Sequence, residues 1–239
     1  MKKLFSLRRR LTAVIAATVC AAALIVSMLS VKSILVSGVP EPSSRSPLIL
    51  IDPGHGGKDA GAVGIGGLLE KDINLEISLY LRDILRLMGY RVRMTRRTDV
   101  LLEGKGSSAK SRDLNARLDE INKDDVSFCI SIHQNSFSGN GTARGLQVFC
   151  RPNCESSMLL AQSIQQTVKD LIQPENHRSV KTADSSIYIL KNAKNPAVLI
   201  ECAFLSDPMD ALTLSKQSGK ADIAFSIACA IAKYLQNGA

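Results

Sequence analysis

From residue 48 onward the sequence alternates short apolar runs with longer amphipathic ones, and this alternation limits the fold more than any other feature. The runs LILI (48 to 51), YRVRM (90 to 94), VSFCISI (126 to 132), LQVFC (146 to 150), IYIL (187 to 190) and AVLI (197 to 200) have the length and β-branched content of strands. Between them lie helical patterns. DINLEISLYLRDILRLMG repeats apolar residues at Ile73, Ile77, Leu81, Ile84 and Met88, with Asp72 placed to cap its start and Gly89 its end. SRDLNARLDEIN, SSMLLAQSIQQTVKDLI and KADIAFSIACAIAKYLQ supply three more. Strands separated by helices predict an α/β fold, a three-layer α/β/α sandwich around a mostly parallel sheet of about six strands. Ligands in such folds collect at the carboxyl ends of the strands.

The first 47 residues have a different character. Residues 1 to 10 carry Lys2, Lys3, Arg8, Arg9 and Arg10, and the following run LTAVIAATVCAAALIVSMLSV, residues 11 to 31, holds no charge. At about 1.5 Å per residue such a run reaches roughly 30 Å, enough to span a bilayer core. The basic residues before it should remain cytoplasmic, which sends the rest of the chain outside. Its length favours a retained anchor over a signal, although Val36, Ser37 and Gly38 offer small residues for cleavage. SGVPEPSSRSP then reads as a tether closing the segment 32–47, so the folded domain is expected over 48–239.

This layout decides what the net charge of +8 means. Most of the excess belongs to the first 46 residues, and the remaining 193 carry only +2. A nucleic-acid partner is thereby excluded, because its footprint needs basic side chains massed on the folded domain. The absence of Trp argues against a carbohydrate-stacking platform. Cysteine usage excludes a complete disulfide framework. Cys20 lies within the membrane run; Cys129, Cys202 and Cys229 lie in apolar stretches; Cys150 and Cys154 are close enough to bridge, but no second C-x-x-C pair follows.

The residues that follow the strands carry the chemistry. Asp52 and His55 follow the first, His133 the third and Glu201 the sixth, while Glu70 returns after an excursion rich in glycine. Two imidazoles and one carboxylate, His55, His133 and Glu70, are a sufficient donor set for one catalytic zinc with a coordination position left open. The glycines let the backbone turn sharply beside His55 and bring Glu70 back without Cβ clashes. A second carboxylate that is not a ligand must move the proton to the leaving nitrogen, and Glu201 is the natural candidate. A charge ending an apolar strand costs free energy unless it is solvated or paired, so Glu201 calls for a reason to be there. His177 reads as an exposed loop residue, and Arg178 beside it is a better candidate for substrate.

At these positions the chain resembles the zinc-dependent N-acetylmuramoyl-L-alanine amidases of the amidase-3 type, from about Leu48 to the C-terminus. The resemblance is carried by IDPGHGGKDAGA and the following EKD, by MTRRTD at 94 to 99, SIHQNS at 131 to 136 and PAVLIECAFLSDP at 196 to 208. It implies an α/β/α fold with a mixed sheet, one zinc held by His55, Glu70 and His133, and Glu201 as acid and base. It also implies the substrate, the amide between the lactyl group of N-acetylmuramic acid and L-alanine in peptidoglycan. The chain departs from the family pattern at Gln134, where Ala is usual, and at Ala203, where Gly is usual. Gln134, Asn135 and Arg178 are the expected substrate contacts. A single catalytic domain behind a membrane segment is similar to the germination-specific spore-cortex amidases, implying an extracytoplasmic place in the spore envelope, membrane-anchored or secreted, and a role in forming muramic-δ-lactam. Expected partners are peptidoglycan and the membrane, with an accessory activator protein left open.

Three rival readings are weighed by the same residues. A non-haem iron oxygenase would hold its first His and carboxylate nearly adjacent, whereas 15 positions separate His55 from Glu70. EGKGSS lacks the Gly that a phosphate-binding loop needs five positions before its GK, because Asp99 stands there. A non-catalytic, membrane-tethered peptidoglycan-binding module has no use for Glu201. Another zinc peptidase of the cell wall is the remaining alternative.

Overall fold

The computed structural model of the chain describes residues 46–139 and 143–238. The uncharged run 11–31 and the linker up to residue 45 lie outside the described residues, among which no helix is long and apolar enough to cross a membrane. Six strands form one sheet: β1 (Leu48–Pro53), β2 (Arg91–Met94), β3 (Phe128–Asn135), β4 (Gln147–Cys150), β5 (Lys181–Thr182) and β6 (Ala197–Phe204). Their order is β2-β1-β3-β6-β4-β5. Strands β2, β1, β3 and β6 are mutually parallel, while β4 runs antiparallel to β6 and parallel to β5, so the sheet is mixed.

Side-chain alternation sends each strand's residues to opposite faces. Ile49 and Ile51 of β1, Phe128, Ile130 and Ile132 of β3, and Val198 and Ile200 of β6 meet helices α1 (Glu70–Leu87), α3 (Glu155–Ile172) and α6 (Gln217–Gln236). On the other face Leu48, Leu50, Cys129, Ala197 and Leu199 meet α2 (Ala109–Ile121) and α4 (Tyr188–Asn192). Helix α1 shows why the pattern forms. Ile73, Ile77, Leu81 and Leu85 recur every fourth residue and are all buried, each burial contributing roughly 1.5–3 kcal/mol. The helix stops where Gly89 takes φ 84°, and its N–H donates to the Arg86 carbonyl at 2.9 Å.

Two local readings are corrected, and one helix is added. Asp72 does not cap α1: the helix begins at Glu70 after Leu69, and Asp72 sits in the first turn with Glu70, where the helix dipole favours acids. IYIL at 187 to 190 is not a strand but the entrance to α4, with Ile189 and Leu190 packed on the second core. Four apolar residues have no readable period, and adjacent buried positions suit a helical turn as well as a strand. The fifth strand is instead the exposed pair Lys181–Thr182. The short helix α5 (Pro208–Ser215) was not anticipated, although its signal is plain: Asp207 accepts from the N–H groups of Met209 and Asp210, and Pro208 fills the first turn. Cys150 and Cys154 are free thiols.

Candidate metal centre and active site

The carboxyl ends of β1, β3 and β6 gather the site. After β1 the chain turns at once, because the Gly54 N–H donates to the Ile132 carbonyl at 2.9 Å and a Cβ on Gly54 would run into the His133 ring. His55 follows with φ 59°, a left-handed conformation that costs a side-chain-bearing residue roughly 1–3 kcal/mol. What holds it there is Asp59, whose Oδ2 lies 2.8 Å from His55 Nδ1 while Oδ1 accepts from the Gly61 N–H at 3.1 Å. With Nδ1 committed as donor to Asp59, the Nε2 lone pair is left for a metal. At Gly61, with φ 66°, a Cβ would stand 2.5 Å from Glu70 Oε2, so glycine is required for the loop to close over that carboxylate.

Three donors converge. Glu70 Oε1 lies 3.0 Å from His133 Nδ1 and 3.3 Å from His55 Nε2, and the ligand atoms of all three residues fall within 4.8 Å of one another. Ligands about 2.1 Å from a tetrahedral zinc are about 3.4 Å apart, so the donor set fits such an ion with little movement. The two rings meet edge to face at 76°, centroids 5.1 Å apart, which lets both nitrogens address the same point. Burial opposes a charged His55, yet hydrogen bonds to Glu70 and Asp59 outweigh it and push its pKa up to about 9. Burial likewise opposes ionised Glu70, but the hydrogen bonds and charges of His133 and His55 hold its carboxyl far below the usual range. The pocket thus keeps a carboxylate and favours cationic character between its arms, which a divalent cation would satisfy.

Glu201 stands beside this set. It is the β6 residue in register with His133, on the same sheet face, and its Oε2 is buried without a hydrogen-bond partner among the described residues. Burial, reinforced by the Glu70 charge and partly offset by His133, raises its pKa to about 7. A carboxyl poised near neutrality can take and return a proton.

Beneath the site two buried arginines fix the backbone that carries His55. Arg117 Nη1 donates to Asp52 Oδ1 and to the Pro53 carbonyl, both at 2.6 Å, and Nη2 reaches the His55 carbonyl at 2.7 Å. Asp52 also accepts from Thr95 and Ser131, and Asp113 braces the guanidinium from the next helical turn. Arg96 donates to the carbonyls of Pro53, Gly54 and Lys71. Lys71 and Asp99 bind each other and clamp Gly57. The roles of Arg96, Arg117, Asp113, Asn74 and Asp59 were missed in the sequence. Arg96, Lys71 and Asp99 lie in the motifs MTRRTD and EKD, but nothing in those strings shows that they grip a loop backbone.

The other expected contacts divide. Gln134 is 3% exposed and turned from the cleft: its Nε2 donates to Asn74 Oδ1 at 3.1 Å and its backbone N–H to Glu70 Oε1 at 3.1 Å. That corrects its expected place on substrate, since strand alternation puts it on the face opposite His133. Asn74 in turn donates to the Gly54 carbonyl and to Glu70. Asn135 is half-buried at the end of β3, its Oδ1 taken by the Ser136 N–H. Arg178 lies farther along the sheet edge over the Phe204 ring, and His177 is exposed in the same loop. A cavity of about 830 Å³ is lined by these two residues among others and not by the three converging donors.

Residues 49–233 match the family described as N-acetylmuramoyl-L-alanine amidase. The chain belongs to that family. It is similar to the germination-specific N-acetylmuramoyl-L-alanine amidase of Bacillus subtilis, 36% identical over 191 residues that cover 78% of this chain and 79% of the relative. The sporulation-specific N-acetylmuramoyl-L-alanine amidase of the same organism is 32% identical over 172 residues, 71% of this chain and 61% of the relative. Among solved structures it resembles the CwlD amidase from Clostridioides difficile in complex with the GerS lipoprotein, with a TM-score of 0.75 and 34% identity over 80% of this chain and all of that one. Family membership thus agrees with the mixed sheet, and the converging residues lie within the matched span.

Proposed function

We propose that this chain is a zinc-dependent hydrolase that cuts the amide between N-acetylmuramic acid and L-alanine in peptidoglycan, in the setting of the spore cortex. The observation that carries this is the convergence of His55 Nε2, His133 Nδ1 and Glu70 Oε1 beside Glu201, whose Oε2 is buried with no hydrogen-bond partner among the described residues, in a chain of this family. When bound by the three donors, zinc supplies Lewis acidity that polarises an amide carbonyl and makes water acidic enough to attack at neutral pH. His55 is kept in the ligating tautomer by Asp59, and Glu70 is steered by Asn74 and by the N–H groups of Ala62 and Gln134. Glu201 Oε2 receives the proton of the attacking water and delivers it to the alanine nitrogen as that bond breaks. The products are a free lactyl carboxylate on the sugar and a peptide with an amino terminus. Loss of the peptide frees the lactyl carboxyl that a δ-lactam uses; the ring closes only after a separate activity removes the N-acetyl group and water is lost.

Similarity to germination- and sporulation-specific amidases supports the cortex setting. A wall substrate supports an extracytoplasmic place, and the uncharged run 11–31, outside the described residues, would anchor or export the domain. The relative solved with a lipoprotein supports an accessory partner here also. A wall-binding module without catalysis would leave unexplained a carboxyl raised to about 7 whose Oε2 is buried without a hydrogen-bond partner among the described residues. The test is digestion of purified cell wall with and without a chelator, followed by mass analysis. Peptides with a free L-alanine amino terminus should appear, vanish with the chelator and return with zinc. Cuts within the glycan or inside the peptide would overturn the assignment.

A further inference from the structure

Behind Glu70 two side-chain amides form a chain whose direction is dictated by what lies at its inner end. Glu70 and Asn74 stand one turn apart on α1, and Gln134 meets them from β3. Asn74 Nδ2 donates to the Gly54 carbonyl at 3.2 Å and to Glu70 Oε1 at 3.3 Å, while Gln134 Nε2 donates to Asn74 Oδ1 at 3.1 Å. The two groups facing Asn74 Nδ2 can only accept. One is a carbonyl that already takes a bond from Arg96 Nη2 at 2.9 Å, and the other is a carboxylate held ionised by both imidazoles. Asn74 must therefore turn its NH2 toward them, which leaves Oδ1 pointing at Gln134. Gln134 can meet that oxygen only with its own NH2, so its Oε1 is sent the other way.

That oxygen has nothing to bind. Gln134 is 3% exposed, and its Oε1 is buried with no hydrogen-bond partner among the described residues. The Cys202 thiol beside it turns to the Ile200 carbonyl at 3.8 Å. Buried polar atoms are ordinarily paired, and flipping the amide gives no relief. It would set Oε1 against Asn74 Oδ1, and flipping Asn74 as well would set Oδ1 against Glu70 and the Gly54 carbonyl. An apolar side chain at 134 would carry no such orphan. The glutamine thus forgoes a bond at one end and controls the rotation of the Asn74 amide with the other.

That rotation bears on the carboxylate. Glu70 Oε2 accepts from the Ala62 N–H at 2.8 Å, and Oε1 accepts from the Gln134 backbone N–H at 3.1 Å as well as from Asn74. Oε1 is also the atom that faces both imidazoles. We infer that the Gln134 side chain is a positioning residue, which through the Asn74 amide fixes Glu70 Oε1 for the ion that His55 and His133 share. The inference rests on the proposed zinc reading and adds to it a side chain that touches neither ion nor substrate.

The test uses the full chain and zinc alone, with affinity measured by chelator competition. Q134M keeps the side-chain length and the backbone N–H of residue 134 and removes the amide. It exchanges one orphaned oxygen, Gln134 Oε1, for another, Asn74 Oδ1, so the metal-free melting temperature should stay within about 4 °C of the unsubstituted chain. Zinc should nonetheless bind about 10–100-fold more weakly, and the visible spectrum of the cobalt-loaded chain should shift as the carboxylate rotates. N74A should weaken zinc at least as much, and N74A/Q134M no further, because Gln134 acts through Asn74. Unchanged zinc affinity in Q134M overturns the inference whatever its melting temperature, and so does a double variant whose losses add. Should Q134M fail to fold, Q134A takes the same measurements, and unchanged affinity there refutes the relay. Zinc binding is read without substrate, so the two readings fail separately: a chain that shows the relay but cuts no cell wall loses only the amidase reading, and one that cuts wall with zinc affinity indifferent to Q134M loses only the relay.

Discussion

At the scale of single residues the account depends on division of labour between ligands and Glu201. E201Q keeps the shape of the side chain and removes its proton traffic. It should lower kcat by about 10²–10⁴-fold while zinc remains at one per chain by metal analysis. Loss of the metal in that variant would assign Glu201 to the ligand set instead. The titrations predict how the metal-free protein responds to pH. His55 binds its proton more tightly when folded, so its contribution is complete below its ordinary 6.5 and is lost as pH rises through about 9. Glu201 is favoured neutral when folded, so stability declines further as pH rises from its ordinary 4.5 through about 7. Glu70 is held ionised, and its contribution fades as pH falls through 4.5 and below. Thermal melts in chelator should therefore show greatest stability near pH 5–6 and a fall toward pH 9. With zinc the added stabilisation should grow over pH 6 to 8, because the metal competes with protons for His55. A metal-free melting temperature that climbs from pH 6 to 9 would contradict the assigned contacts.

At the scale of elements, the loop after β1 is held by α2 as much as by its own glycines. Asp52 and Arg117 are both buried, and removing one partner leaves an uncompensated charge. R117M should cost about 3–5 kcal/mol in denaturant unfolding and weaken zinc binding. Pairing it with D52N should restore part of that loss. G54A should reduce metal affinity with a smaller effect on stability, because its Cβ displaces the His133 ring and leaves the core untouched; unchanged zinc affinity would argue against that packing. The elements best legible in sequence were those with a long period. The four-residue spacing of Ile73, Ile77 and Leu81 identified α1, whereas IYIL was too short to separate turn from strand. His55, His133, Glu70 and Glu201 were legible because each follows or returns to a strand end. Arg117 was not, since a basic residue on an amphipathic helix ordinarily marks the solvent face, and here that face covers Asp52.

At the scale of the whole molecule, β4 reverses beside β6 and so closes the edge of the parallel strands that carry the donors. The parallel half presents the donors, and the antiparallel return places Gln147 in register with Glu201. Sequence alternation gave parallel strands with helices on both faces, but the direction of β4 depended on the path from 136 to 146, which no local period encodes. The central claim is that three side chains distant in sequence grip one ion. Anomalous scattering at the zinc edge from crystals grown with zinc tests it most directly. One peak is expected, about 2.0–2.2 Å from His55 Nε2, His133 Nδ1 and Glu70 Oε1, with Glu201 outside bonding distance. A peak elsewhere, or one that engages Glu201 and leaves either imidazole free, would contradict the account.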